Sequence, residues 1–175
     1  MQTVEPAVEC TTIEEKIAMA QDLFRNWGDA LRQDTTVGSL LESLRQRIEL
    51  SGKAMVEVGV VAACRHCEEV EGGSCCGAGI ENRYNTTYLL MNLLLGGILP
   101  EKRLSAKGCF FLGATGCTLL ARTVLCVNFL CLGIQKILLP EELIRLQTIT
   151  GDEMDTGFLL HEAVKKCMRR SNTIR

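Results

Sequence analysis

The stretch CRHCEEVEGGSCC holds Cys64, Cys67, Cys75 and Cys76, and Cys109, Cys117, Cys126 and Cys131 follow further along. Thiolates are soft ligands, and sites built only from sulfur select zinc, copper(I) or iron-sulfur clusters over hard cations. Cys64 and Cys67 form a CxxC half-site, in which a tight turn brings both sulfurs to one metal. Zinc ribbons repeat that short spacing in both halves, whereas the later cysteines are separated by seven, eight and four residues. Ligands so irregularly spaced, converging from several loops and helix ends, suit an iron-sulfur cluster at least as well. The adjacent pair Cys75-Cys76 is open to two readings, because neighbouring side chains diverge in most backbones. Either one of them belongs to the site, or they serve different metals. Cys10 and Cys167, near the chain ends, read as ordinary cysteines outside the constellation.

Helical periodicity bears on the later group. In one unbroken helix Cys117 and Cys126 would face opposite sides at about 3.6 residues per turn, so Cys117 is expected before the helix, in the glycine-rich approach. Arg122 and Cys126, four residues apart, are expected on one helical face. A guanidinium near thiolates lowers their pKa and offsets the negative charge of a metal–thiolate site, which makes Arg122 a candidate cofactor-binding residue. The competing reading for Cys126 and Cys131, inside an apolar run, is burial in the core. His66, between the first two sulfurs, is expected to point away from the metal or to support the site from outside. His161, beside Glu162, reads as a surface residue. Glu81 and Arg83 could line a site, although the first turn of a helix also explains Glu81. No nucleophile elbow, phosphate loop or pair of catalytic carboxylates accompanies these residues.

The elements that must position the cysteines are helical. Ile13, Ile17, Ala20, Leu23, Phe24 and Trp27 recur at helical spacing behind a threonine cap, with Glu14 and Glu15 in the first turn. A second helix, from near Thr36 or Ser39, sets Leu40, Leu41, Leu44, Ile48 and Met55 opposite Arg45, Gln46 and Glu49, with Ser51-Gly52 a candidate to kink it or divide it in two. Val58 to Ala63 then leads into the first cysteines, and Glu68 to Gly79 reads as a loop. A third helix is expected from about Glu81 to Gly96, ended by Gly96-Gly97 and Pro100. Ser105 to Gly116 looks irregular, and Thr118 to Leu139 helical in part. After Pro140 a helix is expected to turn at Gly151-Asp152 into a last one ending near Arg170. Strand-like alternation is absent. The pattern predicts an all-α fold, an irregular helical bundle around a loop-rich cysteine-ligated metal site. It reads as a single domain, with N-terminal helices at 1–62, a cysteine-cluster core at 63–132 and C-terminal helices at 133–175.

With 47% apolar residues and a net charge of -2, the chain reads as globular, and no basic face recommends nucleic acid as a partner. The basic run Lys165 to Arg170 suits a helix end. Two apolar runs fall short of the roughly 20 residues a membrane span needs. Tyr88 to Leu99 is too short, and Thr123 to Leu139 is interrupted by Gln135 and Lys136, so both are expected as buried core helices. The acidic start MQTVEPAVEC does not resemble a signal peptide, which predicts a cytoplasmic protein with reduced thiols.

The order CxxC, then CC, then CFFLGATGCTLLARTVLCVNFLC resembles that of the YkgJ-like cysteine-cluster proteins, zinc- or iron-chelating domains. Cys64, Cys67, Cys75 and Cys76 match the family's opening cysteines, and Cys109-Phe110-Phe111-Leu112 its C-x-F-L. Cys117, Arg122 and Cys126 match the remainder. The gap between Cys67 and Cys75 is longer than the family's, and Thr123 stands where the family has proline. The resemblance covers about Cys64 to Cys131. It implies a bound metal centre, in some relatives a 4Fe-4S cluster, including certain protein lysine methylases, and it does not specify a reaction.

The chain is therefore expected to be a metalloprotein with an iron-sulfur cluster of the 4Fe-4S type, alternatively zinc, serving electron transfer, redox sensing or a partner enzyme. A structural zinc-binding interaction module and an accessory component of a methyltransferase are the other readings. A thioredoxin-type exchanger would place CxxC after a strand, and an independent methyltransferase would need a nucleotide-binding fold that this helical chain has little room for. A protein partner is expected, without nucleic acid or membrane, and uncovered apolar helix faces permit a homodimer.

Overall fold

A computed structural model describes residues 12–71 and 75–173, the last three as backbone. Helix α1 (Ile13–Gln33) starts in a capping box: Thr12 Oγ1 accepts from Glu15 N at 3.2 Å, and Glu15 Oε2 accepts from Thr12 N at 3.1 Å. It runs past Trp27 to Asp34, which ends α1 and at once caps α2 (Thr35–Glu57), accepting from Thr36 N and Val37 N at 3.0 and 2.9 Å. Helix α2 passes through Ser51-Gly52 without interruption, because Ser51 is buried and donates to Ile149 O at 3.5 Å. The break falls instead at Gly59, whose φ of 79° suits glycine and strains other residues. Helix α3 (Val60–Glu69) follows. It extends into what the composition marks as a loop.

A 3-10 turn at Ile80–Arg83 precedes α4 (Thr86–Leu94), capped by Asn85, whose side chain accepts from Tyr88 N at 2.9 Å. Helix α4 gives out at Gly96, with φ 87°. Its last carbonyls are satisfied from outside: Arg32 donates to Leu93 O and Leu94 O at 3.1 and 3.2 Å, and Arg45 to Leu95 O at 2.9 Å. A short hairpin, β1 (Leu112–Gly113) with β2 (Gly116–Cys117), forms the only sheet among the described residues. Then come α5 (Val124–Asn128), α6 (Leu132–Ile137) and α7 (Pro140–Thr173). The molecule is all-α.

The turn expected at Gly151-Asp152 does not exist. Helix α7 is continuous over 34 residues, a length of about 50 Å. It lies antiparallel to α2, which holds it on both sides of Gly151. Arg145 pairs with Glu57 at 2.9 Å, Ile149 O receives Ser51, and Asp152 pairs with Arg47 at 2.9 Å. Packing along such a face outweighs the roughly 1 kcal/mol that an interior glycine costs a helix.

Two apolar clusters run along this helix pair. The first gathers α1, the first half of α2, α4, Cys109 to Phe111, and Leu160 and Val164 of α7. The second gathers Ala54, Met55, Val60, Val127, Ile134, Leu138 and Leu146. Of the two apolar runs, Tyr88 to Leu99 is core, with Leu89, Leu90 and Met91 fully buried. Thr123 to Leu139 is not a core helix, since it divides into α5 and α6 and leaves Phe129, Leu132, Ile137 and Leu139 more than half exposed. Among the described residues no helix is long and apolar enough to cross a membrane.

Candidate metal centre

Backbone pairing, rather than a shared helix, gathers Cys76, Cys109 and Cys117. Cys109 N donates to Cys76 O at 2.6 Å, Ala78 N donates to Lys107 O at 2.9 Å, and Gly77 bridges Gly108 in antiparallel register. Cys109 O accepts from Leu112 N at 3.0 Å, and Leu112 faces Cys117 across the hairpin. Cys117 thus precedes α5, as its distance from Cys126 requires. Cys126 Sγ accepts from Thr123 Oγ1 at 3.5 Å. The Tyr84 hydroxyl accepts from Thr123 N at 3.4 Å, and burial followed by the neighbouring Cys126 pushes the phenol up. Cys64 and Cys67 lie on α3 and not in a tight turn; three residues apart, they share a helix face. Cys131 is the N-cap residue of α6.

Charge repulsion sorts the sulfurs into two sets. Burial pushes the Cys64 thiol up, and so do Cys75, Cys131 and Cys67. Cys67 is raised by burial, then by Glu71, Cys75 and Cys131, and Cys75 by burial and Cys131. Cys76 is pushed up to about 11 by burial, then by Cys117, Cys126 and Cys109, with Cys75 last. Burial also raises Cys109 and Cys117, with Cys117 and Cys126 pressing on Cys109 and Cys126 on Cys117. Order along the chain groups Cys76 with Cys75, and Cys131 with Cys126. Space exchanges them.

All the described cysteines are thiols. No three His, Cys, Asp or Glu side chains among the described residues stand ready to hold a metal ion, so the thiols are gathered without being closed on a common centre. Rotation of a cysteine between staggered χ1 positions is a smaller change than assembling the backbone segments that carry it.

Arg122 does not share a helix face with Cys126, because α5 begins only at Val124 behind Thr123. Its charge acts instead on Cys117, where burial outweighs it, and on Glu153 of α7. His66 is exposed and 3.9 Å from Glu71, too far for a hydrogen bond. His161 is no surface residue: its side chain is 12% exposed, 5.2 Å from the Tyr88 ring and in contact with Asn85 at 3.2 Å and Glu162 at 3.0 Å. Cys167 sits near the far end of α7, 3.9 Å from Asp34 Oδ2, and Cys10 lies outside the described residues.

Glu81 is buried and works as a clamp. Its carboxylate accepts from Gly79 N at 2.9 Å and Phe110 N at 3.4 Å and pairs with Arg103, which also donates to Gly108 O. Burial pushes the Glu81 carboxyl up, but these hydrogen bonds outweigh it and hold it below the usual range. Arg83 is exposed. Asn92, a residue that spacing rules pass over, accepts from Leu120 N and Ala121 N at 2.7 and 3.0 Å and donates to Ala121 O at 2.9 Å. It anchors the segment that leads from Cys117 to α5. A lone amide inside LLMNLLL was the available signal.

The donor set is entirely sulfur, with one guanidinium beside it, and fits a soft metal ion or an iron-sulfur cluster rather than a hard cation. Set against known protein families, curated proteins and solved structures, the chain has no match in any of the three.

Proposed function

We propose that this chain is a metal-binding protein whose cysteines hold an iron-sulfur centre of the 4Fe-4S type, serving electron transfer, redox sensing or a partner enzyme. The observation that carries the reading is that separate stretches of chain bring cysteines together. Cys109 N donates to Cys76 O, and Leu112 faces Cys117 across the hairpin. Burial and then Cys75, Cys131 and Cys67 raise the Cys64 thiol, and burial and then Cys117 and Cys126 raise that of Cys76. Crowded thiols are unfavourable as neighbouring thiolates, and a bound cation turns that repulsion into attraction. The resemblance to the YkgJ-like cysteine-cluster proteins points the same way. When bound, the cluster supplies one-electron chemistry. The chain's own part is to hold the sulfurs, to offset thiolate charge with Arg122 beside Cys117, and to cover Cys126 with the buried Tyr84 ring. Zinc satisfies the same donors and would make the protein a structural interaction module.

Anaerobic purification with a visible spectrum and metal analysis separates the two. A brown protein absorbing near 400 nm, with iron and sulfide, is the expected result. Colourless protein with stoichiometric zinc would replace the cluster by the zinc module, and metal-free protein that takes up neither would end the reading. Cys167→Ser is expected to leave metal content unchanged.

A further inference from the structure

We propose that the cysteines form two separate metal centres divided at the Cys75–Cys76 peptide bond, one on Cys64, Cys67, Cys75 and Cys131 and the other on Cys76, Cys109, Cys117 and Cys126. The inference rests on the metal-binding reading above and adds a second centre to it.

Consecutive Cα atoms lie about 3.8 Å apart and their side chains leave the backbone in different directions. Cys75 and Cys76 are therefore poor partners for one ion and good ones for two. Backbone geometry assigns Cys76: its carbonyl receives Cys109 N, Gly77 bridges Gly108, and Leu112 carries the register on to Cys117. Thr123 Oγ1 donates to Cys126 Sγ, and Thr123 N donates to the hydroxyl of Tyr84, whose ring lies 5.1 Å from that of Phe111, two residues beyond Cys109.

Packing separates Cys109 and Cys126 from Cys131 in the same way. Cys109 belongs to the first apolar cluster and Cys126 packs against it. Cys131 packs against the second cluster, which α3, the helix of Cys64 and Cys67, enters at Val60. Between Cys126 and Cys131 the chain leaves α5 through Phe129, at φ -79° and ψ 100°, before α6 begins. That extended residue sends two cysteines close in sequence to different clusters. Each set supplies four thiolates, enough for a closed tetrahedral zinc site or for the irons of one cluster without an outside ligand.

The test uses the full chain, stripped of metal and titrated with zinc(II) alone under reducing conditions. About two ions per chain are expected, each held by four thiolates. Cys64→Ser with Cys131→Ser, and separately Cys117→Ser with Cys126→Ser, should each halve that content. Alkylation of wild-type protein carrying one equivalent of zinc should find Cys64, Cys67, Cys75 and Cys131 shielded together, or the other four together. This map needs no substitution, so it decides the matter even where a double variant fails to fold. One ion in the wild type with none in either double variant, or a shielded group that mixes the sets, would overturn the division and leave a single metal centre standing. A wild type that takes up no zinc and carries no iron would overturn both the division and the metal-binding reading.

Discussion

Glu153 shows what a single side chain does in this core. It is 3% exposed, its Oε2 has no hydrogen-bond partner, and Ser51 and the charge of Arg122 are its support. Burial pushes its carboxyl above the ordinary glutamate value. The folded protein then binds that proton more tightly than the unfolded chain does. Stability from this group is therefore full below the ordinary value and falls as pH rises through the window up to the folded one. Glu153→Gln keeps the shape and removes the charge. It should stabilise the protein by on the order of 1 kcal/mol near neutral pH and change little near pH 4, as thermal unfolding at the two pH values will read. Destabilisation at neutral pH would mean that the carboxylate serves Arg122 more than burial harms it. Asn92 is the opposite case, a buried amide whose bonds are made. Asn92→Ala strands Leu120 N and Ala121 N, at a cost of about 1–3 kcal/mol, visible as a lower denaturant midpoint.

At the scale of elements, glycines mark where helical reading succeeds and fails. Gly59, at φ 79°, ends α2, whereas Gly151 lies within α7 with nothing within 4 Å of where a Cβ would stand. Gly59→Ala is expected to cost about 1–2 kcal/mol, and Gly151→Ala to raise stability by up to about 1 kcal/mol. Destabilisation by Gly151→Ala would contradict the continuous helix. Most helices were readable from their periods and caps, down to the threonine and glutamate that start α1. The false turn at Gly151 and the unbroken passage of α2 through Ser51-Gly52 have one cause: α2 and α7 hold each other there through Ser51 with Ile149 and Arg47 with Asp152, and a local propensity carries no information about that contact. Arg122 failed similarly, since its face relation to Cys126 assumed a helix that starts too late. His161 looked exposed because the sequence does not show that Tyr88 lies against it.

For the molecule as a whole, the proposed metal centre and the fold should stabilise each other. Thiolate-bound zinc is worth roughly 10–16 kcal/mol in small peptides, comparable with the 5–15 kcal/mol of a typical domain. Trypsin is therefore expected to cut at the exposed Arg65 and Arg83 faster in chelator-stripped than in metal-loaded protein. Equal rates would separate metal from fold. The helical class, the set of candidate sulfur donors and the placing of Cys117 ahead of its helix were legible in the sequence alone, because residue type, period and spacing are local properties of a chain. Tertiary structure alone decided which cysteine-bearing segments lie together. Cys126 packs against the first apolar cluster and Cys131 against the second, with one extended residue between their helices, and Cys76 is joined to Cys109 by a backbone hydrogen bond across a long loop. Those choices come from contacts between segments distant in sequence, and no spacing rule encodes them.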